Sequence, residues 1–307
     1  MKRSSGNLSF AAALLAAACA AFGAAPSSAR PSAAAGESAP RPPADDRASA
    51  TRPARAAMTI YAVQGAVGRD GAAGCRAPSD DSPAAPDVAT PEGRSALAAR
   101  LGGTDVVELG AIVAEFDAKP KRRDGFGVVA GRRIVFGLAT KIGKDGARSA
   151  QLALQERTAA RPLAVERLAL EGRKPAWVVR EVPGAAGTCV AVRLAMQDED
   201  APPTVATAGV VAPDDKDVVP PRLLEMTPPV YPRSLARELR DVKVGMAVVV
   251  DAEGRCRFGA LEKTPPRNED AAMAALDSAA AARFAPAAKN GRPVPMRWTI
   301  FVTYARD

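Results

Sequence analysis

Five apolar residues at every second position, Val242, Val244, Met246, Val248 and Val250, constrain this chain more than any other stretch. A period of two places all five on one side of an extended strand, so that strand must bury one face. Asp251-Ala252-Glu253-Gly254 follows with turn chemistry, Gly254 being free to take a positive φ. The return strand sets Cys256, Phe258 and Ala260 against Arg255 and Arg257, which predicts a half-buried hairpin. Pro265-Pro266 then blocks an early helix start, Asn268 can cap, and Glu269 and Asp270 bring negative charge to the first turn. Met273, Leu276, Ala280 and Phe284 form the expected helical stripe, closed by Pro286. After the turn signal Asn290-Gly291, a last strand alternates Val294, Met296, Trp298, Ile300, Val302 and Tyr304 against Arg297, Thr299, Phe301 and Thr303. With a short amphipathic run from Ser234 to Arg240 in front, the expected unit over 221–307 is α+β: two helices on a three-stranded antiparallel sheet.

Tyr231-Pro232 ahead of the short helix, the Val-rich hairpin, Ala282-Arg283-Phe284-x-Pro286-Ala287, Asn290-Gly291-x-Pro293-Val294 and the final alternating strand come in a particular order. In that order they resemble the C-terminal domain of TonB energy transducers, over about residues 223–304. The resemblance implies a periplasmic domain that grips an extended peptide of an outer-membrane receptor, the TonB box, in energy-coupled transport across the outer membrane. Inner-membrane motor proteins are the further partners it implies. By position it implies an edge contact at Arg297, Trp298, Thr299, Ile300, Phe301 and Val302, with Tyr231 and Pro232 shaping the approach. The mechanism would be strand addition, in which main-chain hydrogen bonds give affinity and alternate side chains give selectivity. Trp298 and Ile300 read as core-facing side chains whose backbone makes the edge contact.

The chain contains no histidine. A transducer of the usual kind carries one in its membrane anchor, so this chain cannot couple through that residue. A structural envelope scaffold or docking protein, without energy transduction, therefore stands beside the transducer reading. The same absence removes Ser-His-Asp and Cys-His pairs, His-ligated zinc and an imidazole proton shuttle. No acid–base or nucleophile constellation takes their place, so the expectation is a non-enzyme without cofactor. With no Cys-x-x-Cys spacing, no metal site is expected either. The formal charge is +8, but Lys and Arg are scattered among acids without interleaved aromatics, which reads as solvated surface and not as a nucleic-acid stripe.

Met1-Lys2-Arg3 followed by the small and apolar run from Leu8 to Ala25 reads as a signal peptide over 1–25 that directs the protein to the periplasm. The alternatives are an uncleaved inner-membrane anchor, since eighteen helical residues span about 27 Å, and lipid attachment at Cys19. Residues 26–57, rich in Pro, Ala, Ser and Arg, read as an extended linker.

From Met58 to residue 197 short strands separated by turn signals predict an all-β sandwich or barrel-like domain of unknown role. The expected strands include 59–63, 105–116, 133–138, 150–155, 164–170, 176–182 and 189–196, with a loop over 76–93. Gly125-Phe126-Gly127-Val128-Val129-Ala130 reads as a glycine-rich turn beside a basic loop, because no helix follows to offer its N-terminus to a phosphate. Cys75 and Cys189 lie toward the two ends of this region, and a disulfide between them would close it; two separate thiols are the alternative. Cys256 reads as a buried core residue. Residues 198–220, with Asp198-Glu199-Asp200, Pro202-Pro203 and Asp214-Asp215, read as an acidic, Pro-rich linker.

Overall fold

A computed structural model describes residues 54–65, 74–78, 88–117, 119, 121–170, 174–197, 207–229, 242–262 and 269–304. The expected signal peptide, most of the first linker, Tyr231, Pro232, the run from Ser234 to Arg240 and the Asn268 cap lie outside these residues.

The described fold is mostly β, with two helices. Strands β1 (Arg55–Gln64), β2 (Asp105–Glu115), β7 (Ala176–Glu181) and β8 (Cys189–Gln197) form a four-stranded antiparallel sheet in the order β2-β1-β8-β7. A larger sheet contains β3 (Lys121–Val129), β4 (Arg132–Ile142), β5 (Arg148–Glu156), β6 (Ala164–Ala169), β11 (Val242–Val250), β12 (Cys256–Leu261) and β16 (Met296–Tyr304). Its order is β16-β11-β12-β3-β4-β5-β6, all antiparallel.

The two sheets pack face to face. Met58 and Ile60 of β1 and Val192 and Leu194 of β8 share one core with Phe136 and Leu138 of β4, Leu152 of β5 and Phe258 of β12. The outer face of the smaller sheet is covered by α1 (Pro91–Arg100), through Leu97 and Ala98 against Tyr61, Val63 and Val106. The outer face of the larger sheet is covered by α2 (Glu269–Ala281), whose Ala272, Ala275, Leu276 and Ala279 meet Val244, Met246, Val248 and Val302. Two short pairings complete the C-terminal region. In one, β10 (Arg222–Glu225) pairs with β13 (Arg283–Ala285); in the other, β14 (Ala287–Lys289) lies between β9 (Val218–Val219) and β15 (Arg292–Val294).

This architecture overturns the expected fold class. The three strands β16-β11-β12 are present, but they are not a separate three-stranded sheet under two helices. They continue into β3, through Phe258 opposite Gly127, Gly259 opposite Phe126 and Ala260 opposite Gly125. A strand ending a three-stranded sheet leaves a row of unpaired donors and acceptors, and β3 satisfies them.

Glycines make the junction fit. A Cβ at Gly259 would lie 2.4 Å from the Phe126 ring, and one at Gly125 would lie 2.3 Å from the Phe136 ring and 2.4 Å from the Gly259 carbonyl oxygen. The Gly125-Phe126-Gly127 stretch is therefore inside a strand and is not the turn expected from its glycines, and Lys121 to Arg123 belong to the same strand. The turn comes after it, at Ala130 and Gly131, both with positive φ, between Val129 and its partner Arg132.

Three local expectations also change. A register shift between Val249 and Val250 makes Phe258 oppose Val249 and Cys256 oppose Val250. The extra residue turns Phe258 into the inter-sheet core and leaves Cys256 under α2, so the two do not share a face. Helix α2 ends at Ala281, and Phe284 is buried from β13 instead of extending the helical stripe. The last strand begins at Met296, because Pro295 separates it from β15.

Helix α1 begins inside the span 76–93 that the sequence predicts as a loop. Its signature is present in the sequence: Thr90 caps by accepting a hydrogen bond from the Gly93 N–H, Pro91 opens the first turn and Glu92 follows.

Candidate functional site

Strand β16 lies at one end of the larger sheet, and among the described strands β11 is the one it pairs with. Its register is regular throughout, from Met296 opposite Val250 to Tyr304 opposite Val242. In an antiparallel ladder the N–H and C=O of a residue point to the same side, and the side alternates along the strand. The Arg297 N–H donates away from β11, to the Val211 carbonyl at 3.1 Å. Thr299, Phe301 and Thr303 therefore also point their N–H and C=O outward, whereas Trp298, Ile300 and Val302 point theirs into the sheet. Of the edge residues read from the sequence, Trp298, Ile300 and Val302 are thus ladder residues with side chains on the α2 face, and their backbone does not reach the edge. Thr303, which the sequence reading left out, belongs to the outward set.

The outward set also shares a side-chain face, opposite α2. Thr299 and Phe301 are exposed, and the Lys243 ammonium lies 4.2 Å over the Phe301 ring. Gly245 opposite Phe301 leaves room for that ring, since a Cβ there would come within 3.0 Å of it. The Thr299 hydroxyl donates to Glu262 at 3.4 Å. Arg297 and Thr299 border a cleft of about 660 Å³ between the two sheets, walled by Ala111 and Val113 of β2 and floored by Val249, Phe258 and Ala260.

This is the open side of the sandwich. At the other side the end strands β6 and β7 are joined by the ion pair of Glu166 and Arg180. Here the ends are β2 and β16, and a strap over 207–214 runs between them. The carboxylate of Glu108 on β2 accepts a hydrogen bond from the Ala208 N–H. Val210 packs against the inter-sheet core, the Val211 N–H donates to the Pro295 carbonyl at 2.9 Å, and Asp215, just past the strap, pairs with Lys289 at 2.7 Å. Reading 198–220 as a linker gives no sign of these contacts; those at Ala208 and Val211 are made by backbone, which leaves no side-chain pattern.

Glu108 is 9% exposed and one of its carboxylate oxygens has no hydrogen-bond partner. Burial pushes its carboxyl up to about 7, against the smaller opposing pull of the Ala208 N–H and the Arg257 guanidinium. Tyr61, opposite it on β1, is pushed up to about 12, chiefly by burial and then by Glu108. A carboxyl raised from 4.5 to about 7 gives full stability below pH 4.5 and loses it as the pH climbs through 7. At about 1.4 kcal/mol per pH unit the loss is about 3 kcal/mol. Glu108→Gln, which keeps an acceptor for Ala208, is expected to remove it. Urea unfolding at pH 5 and pH 8 should show the variant gaining about 3 kcal/mol over the parent at the higher pH; equal pH dependence in both proteins would contradict the assignment.

The cysteines fall in two places. Cys75 and Cys189 form a disulfide, with Cα atoms 6.4 Å apart. Cys256 is a free, buried thiol that donates to the Phe258 carbonyl at 3.3 Å, and burial pushes its pKa up strongly. Among the described residues no cluster of His, Cys, Asp and Glu is arranged to hold a metal ion, and no helix is long and apolar enough to cross a membrane.

No protein-family model and no curated protein matches the chain. Among solved structures it is similar to the solution NMR structure of the Pseudomonas aeruginosa TonB C-terminal domain. Identity is 25%, the match covers 32% of this chain and 96% of that one, and the TM-score is 0.23. The similarity is partial and weak in superposition, and the functional reading rests on the β16 edge.

Proposed function

We propose that this chain is a non-enzymatic periplasmic protein that binds an extended segment of an outer-membrane receptor by strand addition to β16. The observation that carries the reading is the row of outward backbone groups at Thr299, Phe301 and Thr303 on an end strand; among the described residues none of these three N–H groups donates to another backbone group. Long exposed edges are a liability that proteins blunt with charge, proline or cover. Here the exposed stretch holds two threonines and a phenylalanine, a composition that suits a docking edge. The TonB-like motifs supply the partner: a receptor's TonB-box segment, in energy-coupled transport, with inner-membrane motor proteins on the other side.

A scaffold without energy transduction is the second reading. It is favoured by the absence of histidine and by the fusion of β12 to β3, which ties the C-terminal strands into a larger body. Both readings use the same edge.

The test is a titration of the folded protein with a synthetic peptide carrying the TonB-box segment of an outer-membrane receptor encoded in the same genome. Saturable one-to-one binding, absent with a scrambled peptide, is expected for the receptor-binding reading. Failure of every such peptide to bind would leave the scaffold reading.

A further inference from the structure

We propose that the strap over 207–214 is an intramolecular occupant of the β16 edge, confining an incoming strand to the stretch from Thr299 to Thr303. This rests on the strand-addition reading above. The strap makes one complete parallel rung: Val211 is bridged to Met296, donating to the Pro295 carbonyl at 2.9 Å and accepting from the Arg297 N–H at 3.1 Å. A residue that bonds both neighbours of its partner is how a parallel strand pairs. The edge of β16 is therefore competent for strand addition, and part of it is already taken.

The rung is single for a reason written in the sequence. With a period of two, the next strap residue to face β16 is residue 213, which would donate to the Arg297 carbonyl. That residue is Pro213, which has no N–H. The strap is also held at both ends, through Ala208 on Glu108 and Asp215 on Lys289. It is thus tethered close to the edge and cannot extend along it. An incoming strand finds Arg297 occupied and the next three outward residues open.

The two substitutions Val211→Pro and Pro213→Ala test this in opposite directions. Val211→Pro removes the strap's donor to the Pro295 carbonyl, leaves the rung held by the Arg297 N–H alone, and is expected to tighten binding of the receptor TonB-box peptide about fivefold, the equivalent of one hydrogen bond. Pro213→Ala restores the missing donor, lengthens the seated strap and is expected to weaken binding about fivefold.

Amide hydrogen exchange reads the strap without any peptide. The Arg297 amide should be protected in the parent and in Pro213→Ala and should exchange faster in Val211→Pro, where its acceptor carbonyl remains but the rung has lost its second bond. An Arg297 amide as unprotected as that of Thr299 in the parent protein overturns the proposal. So do affinities that fail to move in opposite directions. If the peptide binds none of the three proteins while the Arg297 pattern holds, strand addition itself is refuted and the competition falls with it; the strap remains only a clamp between the sheets.

Discussion

Ile300→Pro is expected to unfold the C-terminal strands, and Thr299→Pro, one residue away, to leave them folded but unable to bind the receptor peptide. Ile300 sits opposite Met246 with its N–H turned into the ladder and its side chain against the α2 core. Proline there removes a ladder bond at a non-edge position and deletes apolar packing, a loss on the order of 3–5 kcal/mol. Because β11 is shared between β16 and β12, and β12 with β3, the damage reaches the larger sheet. Thr299 is exposed and its N–H faces outward, so proline costs no ladder bond there. What it deletes is the first donor of the docking edge. Circular dichroism and a peptide titration on both variants check the pair. Native spectra and parental affinity for Thr299→Pro would refute edge addition at β16, and an unfolded Thr299→Pro with a folded Ile300→Pro would show that the outward assignment is reversed.

The second large effect belongs to the disulfide. Cys75 and Cys189 are 114 residues apart. The first lies beside the end of α1, where the Arg76 N–H donates to the Leu101 carbonyl; the second is the fully buried first residue of β8. The bond thus ties the helical cover of the smaller sheet to one of its inner strands. Closing a loop of that length lowers the entropy of the unfolded chain enough to stabilise the fold by about 4–5 kcal/mol. The double variant Cys75→Ala, Cys189→Ala should lose that much in urea unfolding, with Cys256 remaining slow to alkylate until the protein unfolds. A loss below about 1 kcal/mol would mean that the closure constrains the unfolded chain far less than its length implies.

What could be read from the sequence follows the physics of each element. The alternation in β11 and β16 was legible because α2 buries one face of both, and a half-buried strand writes a period of two. The middle strands were legible for the same reason, their inner faces meeting in one core. Strand β3 was hidden, because Gly125 and Gly127 interrupt its pattern; at Gly125 the Phe136 ring and the Gly259 carbonyl come close, and at Gly127 the Leu109 side chain does.

The union of β12 with β3 pairs residues more than a hundred positions apart, and no local pattern encodes such a contact. The Val249–Val250 register shift was equally silent, yet it decides which face Phe258 and Cys256 take. As for the site, the identity of the edge strand could be read from the resemblance. Its outward residues could not, since their direction is fixed by pairing with β11 and by the Val211 rung. The strap escaped because its contacts at Ala208 and Val211 are made by backbone atoms.

The measurement that bears most directly on strand addition is a set of intermolecular nuclear Overhauser contacts between the labelled protein and the unlabelled receptor TonB-box peptide. Paired strands bring backbone protons close across the ladder in an alternating pattern. Contacts from the peptide backbone to the amides of Thr299, Phe301 and Thr303, and none to those of Trp298, Ile300 and Val302, are the predicted result. Peptide contacts confined to α2, to β6 or to the inter-sheet cleft, with the β16 amides unchanged, would contradict it.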